Sequence, residues 1–195
     1  TCTLLYLSAG FIFLSCTKGK PSNHWCATPS PSPPTRPSTS RLGGDPAALQ
    51  ARPAPSSDYT FPAASLSFAS QAEIPNWSSW LVRDYDWTDE ESDAWNEDIR
   101  HKLLGHSDNI QGDMELECQL VSHGEYCGDS DAYESERGKA LAPGAADWVL
   151  LLQIDSDEDN CDMMWGDSGR LYLWIRQDDL AARAFGKSWL VLQCY

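Results

Sequence analysis

Residues 150–176 read "LLLQIDSDEDNCDMMWGDSGRLYLWIR", two apolar runs on either side of a segment that carries six carboxylates between Asp155 and Asp167. In residues 148–154 and 171–175 apolar side chains occupy both alternating faces, the pattern of strands buried on two sides. Residues 189–195 repeat it, and "QDDLAARAFG", residues 177–186, predicts a short helix closed by Gly186. Leu152-Gln153-Ile154 and Leu192-Gln193-Cys194 share a Leu-Gln-apolar pattern, faintly echoed at Ser70-Gln71-Ala72. A buried glutamine amide needs partners, so the pattern implies either bonds across neighbouring strands or a degenerate internal repeat.

Two segments upstream complete the reading. "DMELECQLVSHGEYCGDS", residues 113–130, alternates, with Met114, Leu116, Cys118 and Leu120 on one side and Glu115, Glu117 and Gln119 on the other. Period two predicts a strand with one wet face, turning at His123-Gly124. In that register Leu120, not Cys118, opposes Cys127, which disfavours a disulfide between the two cysteines. "WTDEESDAWNEDIRHKLLG", residues 87–105, opens with Thr88 and Glu91 at capping-box spacing. Trp95, Ile99 and Leu103 then recur every four residues, with His101 and Lys102 near the end, which predicts one amphipathic helix. Together these elements predict an α+β fold: a mostly antiparallel or mixed sheet with repeated strand units and a few short helices.

Composition divides the chain. Residues 1–62 hold ten of the twelve prolines, and residues 73–195 hold 27 acids against nine bases, a net charge of −18 beside +3 for residues 1–72. Residues 1–39 are read as a low-complexity Pro/Ser-rich extension and residues 40–195 as the domain, best supported over 103–195. For "TCTLLYLSAGFIFLSC" three readings stand in order: a spurious extension, a lipid anchor with spacer, and a structural element. A strongly acidic domain repels phosphate backbones and anionic lipid surfaces, so neither nucleic acid nor membrane is an expected partner and a basic protein is. The seven cysteines include no CxxC pair and no zinc-spaced Cys/His cluster, and those in the domain are read as reduced.

Chemistry is sparse. Asp155, Asp157 and Asp159 alternate as in an EF-hand, but the sixth and twelfth positions are Asn160 and Gly166, where such a loop needs Gly and a bidentate Glu. A looser oxygen-ligand site built from Asp155, Asp157, Asp159 and Asp162 is the metal hypothesis that survives, and with it a divalent-metal-dependent hydrolase as the alternative function. "GDSG" at residues 166–169 resembles the nucleophile segment of trypsin-like serine proteases, but it continues with Arg170 and no matching His and Asp signatures precede it. Gly, Asp and Ser are turn formers, and the motif is read as a turn. His101 and His106, five residues apart, do not share a helix face as the ligands of HExxH do. No catalytic residue and no cofactor is assigned.

The segments "HKLLGHSDNIQGDMELEC" and "GAADWVLLLQIDSDEDNCDMMWGDSGRLYLWIRQDDLAARAFGKSWLVLQCY", with the weaker "SRLGGDP" and "LSFASQAEIP", resemble the YwqG-like family of bacterial proteins, a domain of unknown function. The resemblance implies an α+β fold with repeated strand units, in which "LSFASQAEIP" is a first copy of the strand seen again at "LLLQID". It also implies a longer domain, with a block of strands missing between Pro75 and Asn76, and it brings no activity, cofactor or catalytic residues. Some members lie near toxin and antitoxin loci, which implies an immunity-like role. The expected protein is therefore an acidic, cytoplasmic, non-catalytic module that binds a basic protein partner.

Overall fold

The computed structural model describes residues 60–92 and 101–195. The Pro/Ser-rich extension, "SRLGGDP", and the Trp95 and Ile99 of the expected helix lie outside the described residues. In chain order the elements are α1 (Asp89–Ser92), β1 (Lys102–Leu103), α2 (Glu115–Ser122), α3 (Asp131–Glu134), α4 (Glu136–Leu141), β2 (Trp148–Asp155), α5 (Glu158–Cys161), β3 (Arg170–Arg176), α6 (Gln177–Ala181) and β4 (Trp189–Gln193). Short 3-10 turns cover Trp80–Val82, Ala142–Asp147 and Phe185–Lys187. The strands form one antiparallel sheet in the order β1-β2-β3-β4. The fold is α+β, as the alternation of apolar strands and short helices implies.

Both faces of the sheet are covered, which is why β2 and β3 have no wet side. On one face Trp148, Leu150, Tyr172, Trp174 and Val191 pack with Met114 and Cys118, brought by α2 and the residue before it. On the other, Leu151, Leu173 and Ile175 pack with Val149, Leu180, Phe185 and Leu190. A register shift between Leu150 and Leu152 turns the consecutive Leu151 and Leu152 to this same face. The helix expected over residues 177–186 ends at Ala181, and Gly186 sits inside the following 3-10 turn.

Three expectations need correction. Residues 115–122 form a helix, not a strand. Met114, Glu115, Cys118 and Gln119 are its buried side, the i, i+1, i+4, i+5 set of a helix face. The alternation misled because Glu115 and Gln119, assigned to water, are inside with polar partners: Ser79 donates to Glu115, and Trp148 Nε1 and Arg176 Nη1 donate to Gln119 Oε1 at 3.0 and 2.8 Å. His123-Gly124 does change the chain direction, but as a helix end, where Gly124 at φ 85° donates to the Val121 carbonyl.

The second correction concerns the helix read over residues 87–105. Its start is present: Glu91 N donates to Thr88 Oγ1 at 3.2 Å, and Thr88 N returns a bond to Glu91 Oε2 at 3.0 Å, which holds the Glu91 carboxyl below its ordinary range. Its expected end is not. Lys102 and Leu103 pair with Gln153 and Leu152 as β1, and Leu104 and Gly105 turn away at φ 64° and 82°. Third, "LSFASQAEIP" carries no strand; Leu66, Phe68 and Ile74 are exposed along an irregular run without a pairing partner.

Candidate functional site

Strand register decides which polar side chains meet. Asp155 faces Arg170, and Arg170 faces Gln193; one step along, Lys102 faces Gln153, and Gln153 faces Tyr172. In-register neighbours point to the same side of a sheet. The α2-covered face is therefore apolar at one end and polar at the other, and the polar end is capped by residues 106–113.

That connection is held almost wholly by side chains of the sheet. Gln153, fully buried, accepts from Asp108 N and donates to Asp108 Oδ2, both at 2.9 Å. Lys102 Nζ meets Asp108 Oδ1 at 2.7 Å, Glu73 Oε1 at 3.1 Å and the His106 carbonyl at 3.0 Å. The Asp108 carbonyl accepts from Tyr172 Oη at 2.6 Å and Arg170 Nη1 at 3.1 Å. Gln193 Oε1 takes both Ile110 N and Gln111 N, at 2.9 and 3.0 Å, and its Nε2 donates to the Gly112 carbonyl. The two glutamines of the Leu-Gln-apolar pattern thus do one job in two strands, but they bond to a loop and not across the sheet. Burial opposes the Arg170 charge, yet the Asp155 carboxylate at 2.8 Å outweighs it and raises the guanidinium further. Burial likewise pushes the Tyr172 phenol up. These bonds join side chains of three strands to the backbone and side chain of one connection, so the cluster fixes the course of residues 106–113.

The four aspartates of the metal hypothesis have separate surroundings. Asp155 is buried against Arg170, and its backbone N–H donates to His101 Nδ1 at 3.1 Å. Asp157, also buried, caps α5 by accepting from Asn160 N and Asn160 Nδ2, at 3.2 and 2.8 Å. Asp159 and Asp162 are exposed, and Asp162 ends α5 in the left-handed region at φ 51°. Among the described residues no three His, Cys, Asp or Glu side chains are grouped to hold a metal ion. We expect calcium, magnesium and manganese at about millimolar concentration to leave the melting temperature unchanged; a rise, which binding to the folded state would cause, would favour the metal hypothesis.

The remaining motifs are structural. His101 Nδ1 accepts from the Asp155 backbone N–H, and its Nε2 stands 3.8 Å from Asp157 Oδ2, so the ring is held between β2 and the start of α5. The "GDSG" segment is a tight turn in which Gly169 N donates to the Trp165 carbonyl, and a Cβ on Gly169 would lie 2.4 Å from both the Trp165 and Gln193 oxygens. Cys118 is a free, fully buried thiol whose pKa burial pushes well up, which leaves it protonated and unreactive.

One pair of groups had no signal in the alternation pattern. At the start of α2, Asp113 Oδ1 accepts from Leu116 N at 3.1 Å, and burial, then Glu115, pushes the Asp113 carboxyl up to about 8. Asp113 was legible only as the first residue of the segment read as a strand, and Asp108 only as a residue between two predicted elements.

A family model described as a domain of unknown function, DUF1963, matches residues 32–194. The chain belongs to the DUF1963 family. A comparison with curated proteins finds no match. Within this DUF1963 domain, no helix among the described residues is long and apolar enough to cross a membrane.

Proposed function

We propose that this DUF1963 domain is a non-catalytic module that binds a basic protein partner. One observation carries the reading: of the ten large apolar side chains left exposed among the described residues, six lie in one stretch of chain between Leu66 and Tyr85. Leu66, Phe68, Ile74, Trp77, Leu81 and Tyr85 are each between 46% and 79% exposed. The exposed acids Asp84, Asp86, Asp89, Glu90 and Glu91 follow directly. Exposed aromatic and aliphatic side chains beside a charged rim are the composition of a partner surface, and the acids select a partner of opposite sign. The YwqG-like resemblance supports a bacterial, cytoplasmic setting and, as the finer form of the proposal, an immunity-like role.

The test is a pulldown with the full chain at about 50 and about 500 mM salt, where screening lengths differ several-fold. A basic protein retained at low salt, released at high salt and lost with a Phe68→Ser, Trp77→Ser double variant is the expected result. Retention that ignores both salt and the substitutions, or no basic partner at all, overturns the proposal.

A further inference from the structure

The run that carries the exposed apolar side chains is fastened to the sheet by side chains. Residues 73–79 contain no helix or strand, and among the described residues no backbone–backbone bond joins them to residues 102–115. Glu73 Oε1 meets Lys102 Nζ at 3.1 Å, and its Oε2 accepts from His106 N at 3.3 Å. Ser78 Oγ accepts from Asn109 Nδ2 at 3.0 Å, and Ser79 donates to Glu115 on α2. Asn76 Oδ1 accepts from the backbone N–H and the hydroxyl of Ser78, at 3.0 and 2.9 Å, and so fixes the turn from inside. Apart from Glu115, the groups reached by these ties belong to β1 or to residues 106–113, the connection that Gln153, Arg170, Tyr172 and Gln193 hold from the other side. Lys102 is the shared member, with one ammonium against Glu73 and Asp108 together and only 10% of its side chain exposed.

We propose that seating of residues 106–113 on the sheet and fastening of residues 73–82 are one event, so that the polar cluster of the sheet controls the placement of the partner surface. Three of that surface's six apolar side chains, Ile74, Trp77 and Leu81, lie in the fastened stretch. A connection without regular structure opens as a unit when its anchors fail. If Gln153 and Gln193 let it go, His106 N and Asn109 leave Glu73 and Ser78, and the run loses its ties. If the run leaves first, Lys102 and Asn109 lose partners and the connection is held from one side. The coupling is physical because both sides bear on one element that is either seated or not, and it is reciprocal by linkage. A partner that binds the seated run therefore also tightens the connection. That bearing on binding rests on the function proposed above, whereas the coupling belongs to the chain alone.

Hydrogen exchange of single amides in the full chain reads the coupling at residues that each variant does not touch. Gln193→Leu, whose lost side-chain bonds run to residues 110–112, should speed exchange at Ser79 and Val82, amides held by the Asn76 and Ser79 carbonyls, by about tenfold. The double variant Glu73→Ala, Ser78→Ala should speed exchange at Ile110 and Gln111, whose N–H groups Gln193 accepts, by a similar factor. Leu180→Ala, which thins the packing on the opposite face of the sheet, should change neither set. Variants that speed exchange only at amides they touch, or a Leu180→Ala effect equal to that of Gln193→Leu, overturn the coupling. Should Gln193→Leu not fold, Gln153→Leu releases Asp108 instead and is held to the same outcome. The measurement needs no partner: an empty pulldown leaves the coupling standing, and uncoupled exchange leaves the pulldown result standing.

Discussion

Replacing Arg170 with methionine lowers the stability of the chain by about 3–5 kcal/mol, because it strands the Asp155 carboxylate inside the protein. Arg170 is 7% exposed and Asp155 4%, with Nε and Oδ2 at 2.8 Å. Methionine fills most of the volume and removes the charge. What remains is a buried carboxylate that has lost the guanidinium beside it. A denaturant titration reads the loss as a shift in midpoint at constant slope. The double variant Asp155→Leu, Arg170→Met should recover most of it, since an apolar pair of similar volume replaces a buried ion pair at little net cost. If the double variant is no better than the single one, the destabilisation comes from lost packing or from the bond to the Asp108 carbonyl, and the ion pair is not what matters.

Gln153→Leu is the second large effect, about 3 kcal/mol, and Gln193→Leu is expected to cost about as much. The first leaves Asp108 N–H and Oδ2 without their partner at a fully buried position. The second orphans Ile110 N–H, Gln111 N–H and the Gly112 carbonyl together. Each unmet buried group costs about 1–3 kcal/mol, and more when charged. The two glutamines hold one connection, so the double variant should fall short of the sum by about 0.5–3 kcal/mol, the range of coupling within a shared network. Strict additivity in urea titrations would mean that residues 106–113 are two independent attachments.

How much of this was legible follows the type of residue that each element buries. The three long strands were plain because β2, β3 and β4 bury apolar side chains on both sides, so hydropathy alone marks them. The helix α2 was not, since half of its buried face is Glu115 and Gln119, and burial of a charge or an amide leaves no trace in an apolar pattern. Asp113 ahead of it, Gly124 behind it and the spacing of Met114, Cys118 and Val121 were the available signals. At β1 a strand of two residues has no period to detect, and Leu103 fitted a helical stripe equally well. The polar cluster was half visible: Gln153, Arg170 and Gln193 are lone polar residues in apolar runs, which says that they have partners but not where. Of those partners, Lys102 lies on the two-residue β1, and Asp108 sits in a connection whose shape is imposed from outside.

That dependence has a consequence in time. The bonds from Gln193 to residues 110–112 join positions 81 to 83 apart in the chain, and those to Asp108 from Gln153, Arg170 and Tyr172 span 45 to 64. A stretch with no helix or strand of its own gains nothing until such distant anchors exist. Its seating must therefore trail assembly of the hairpins, a late step whose entropic cost slows the approach to the native state.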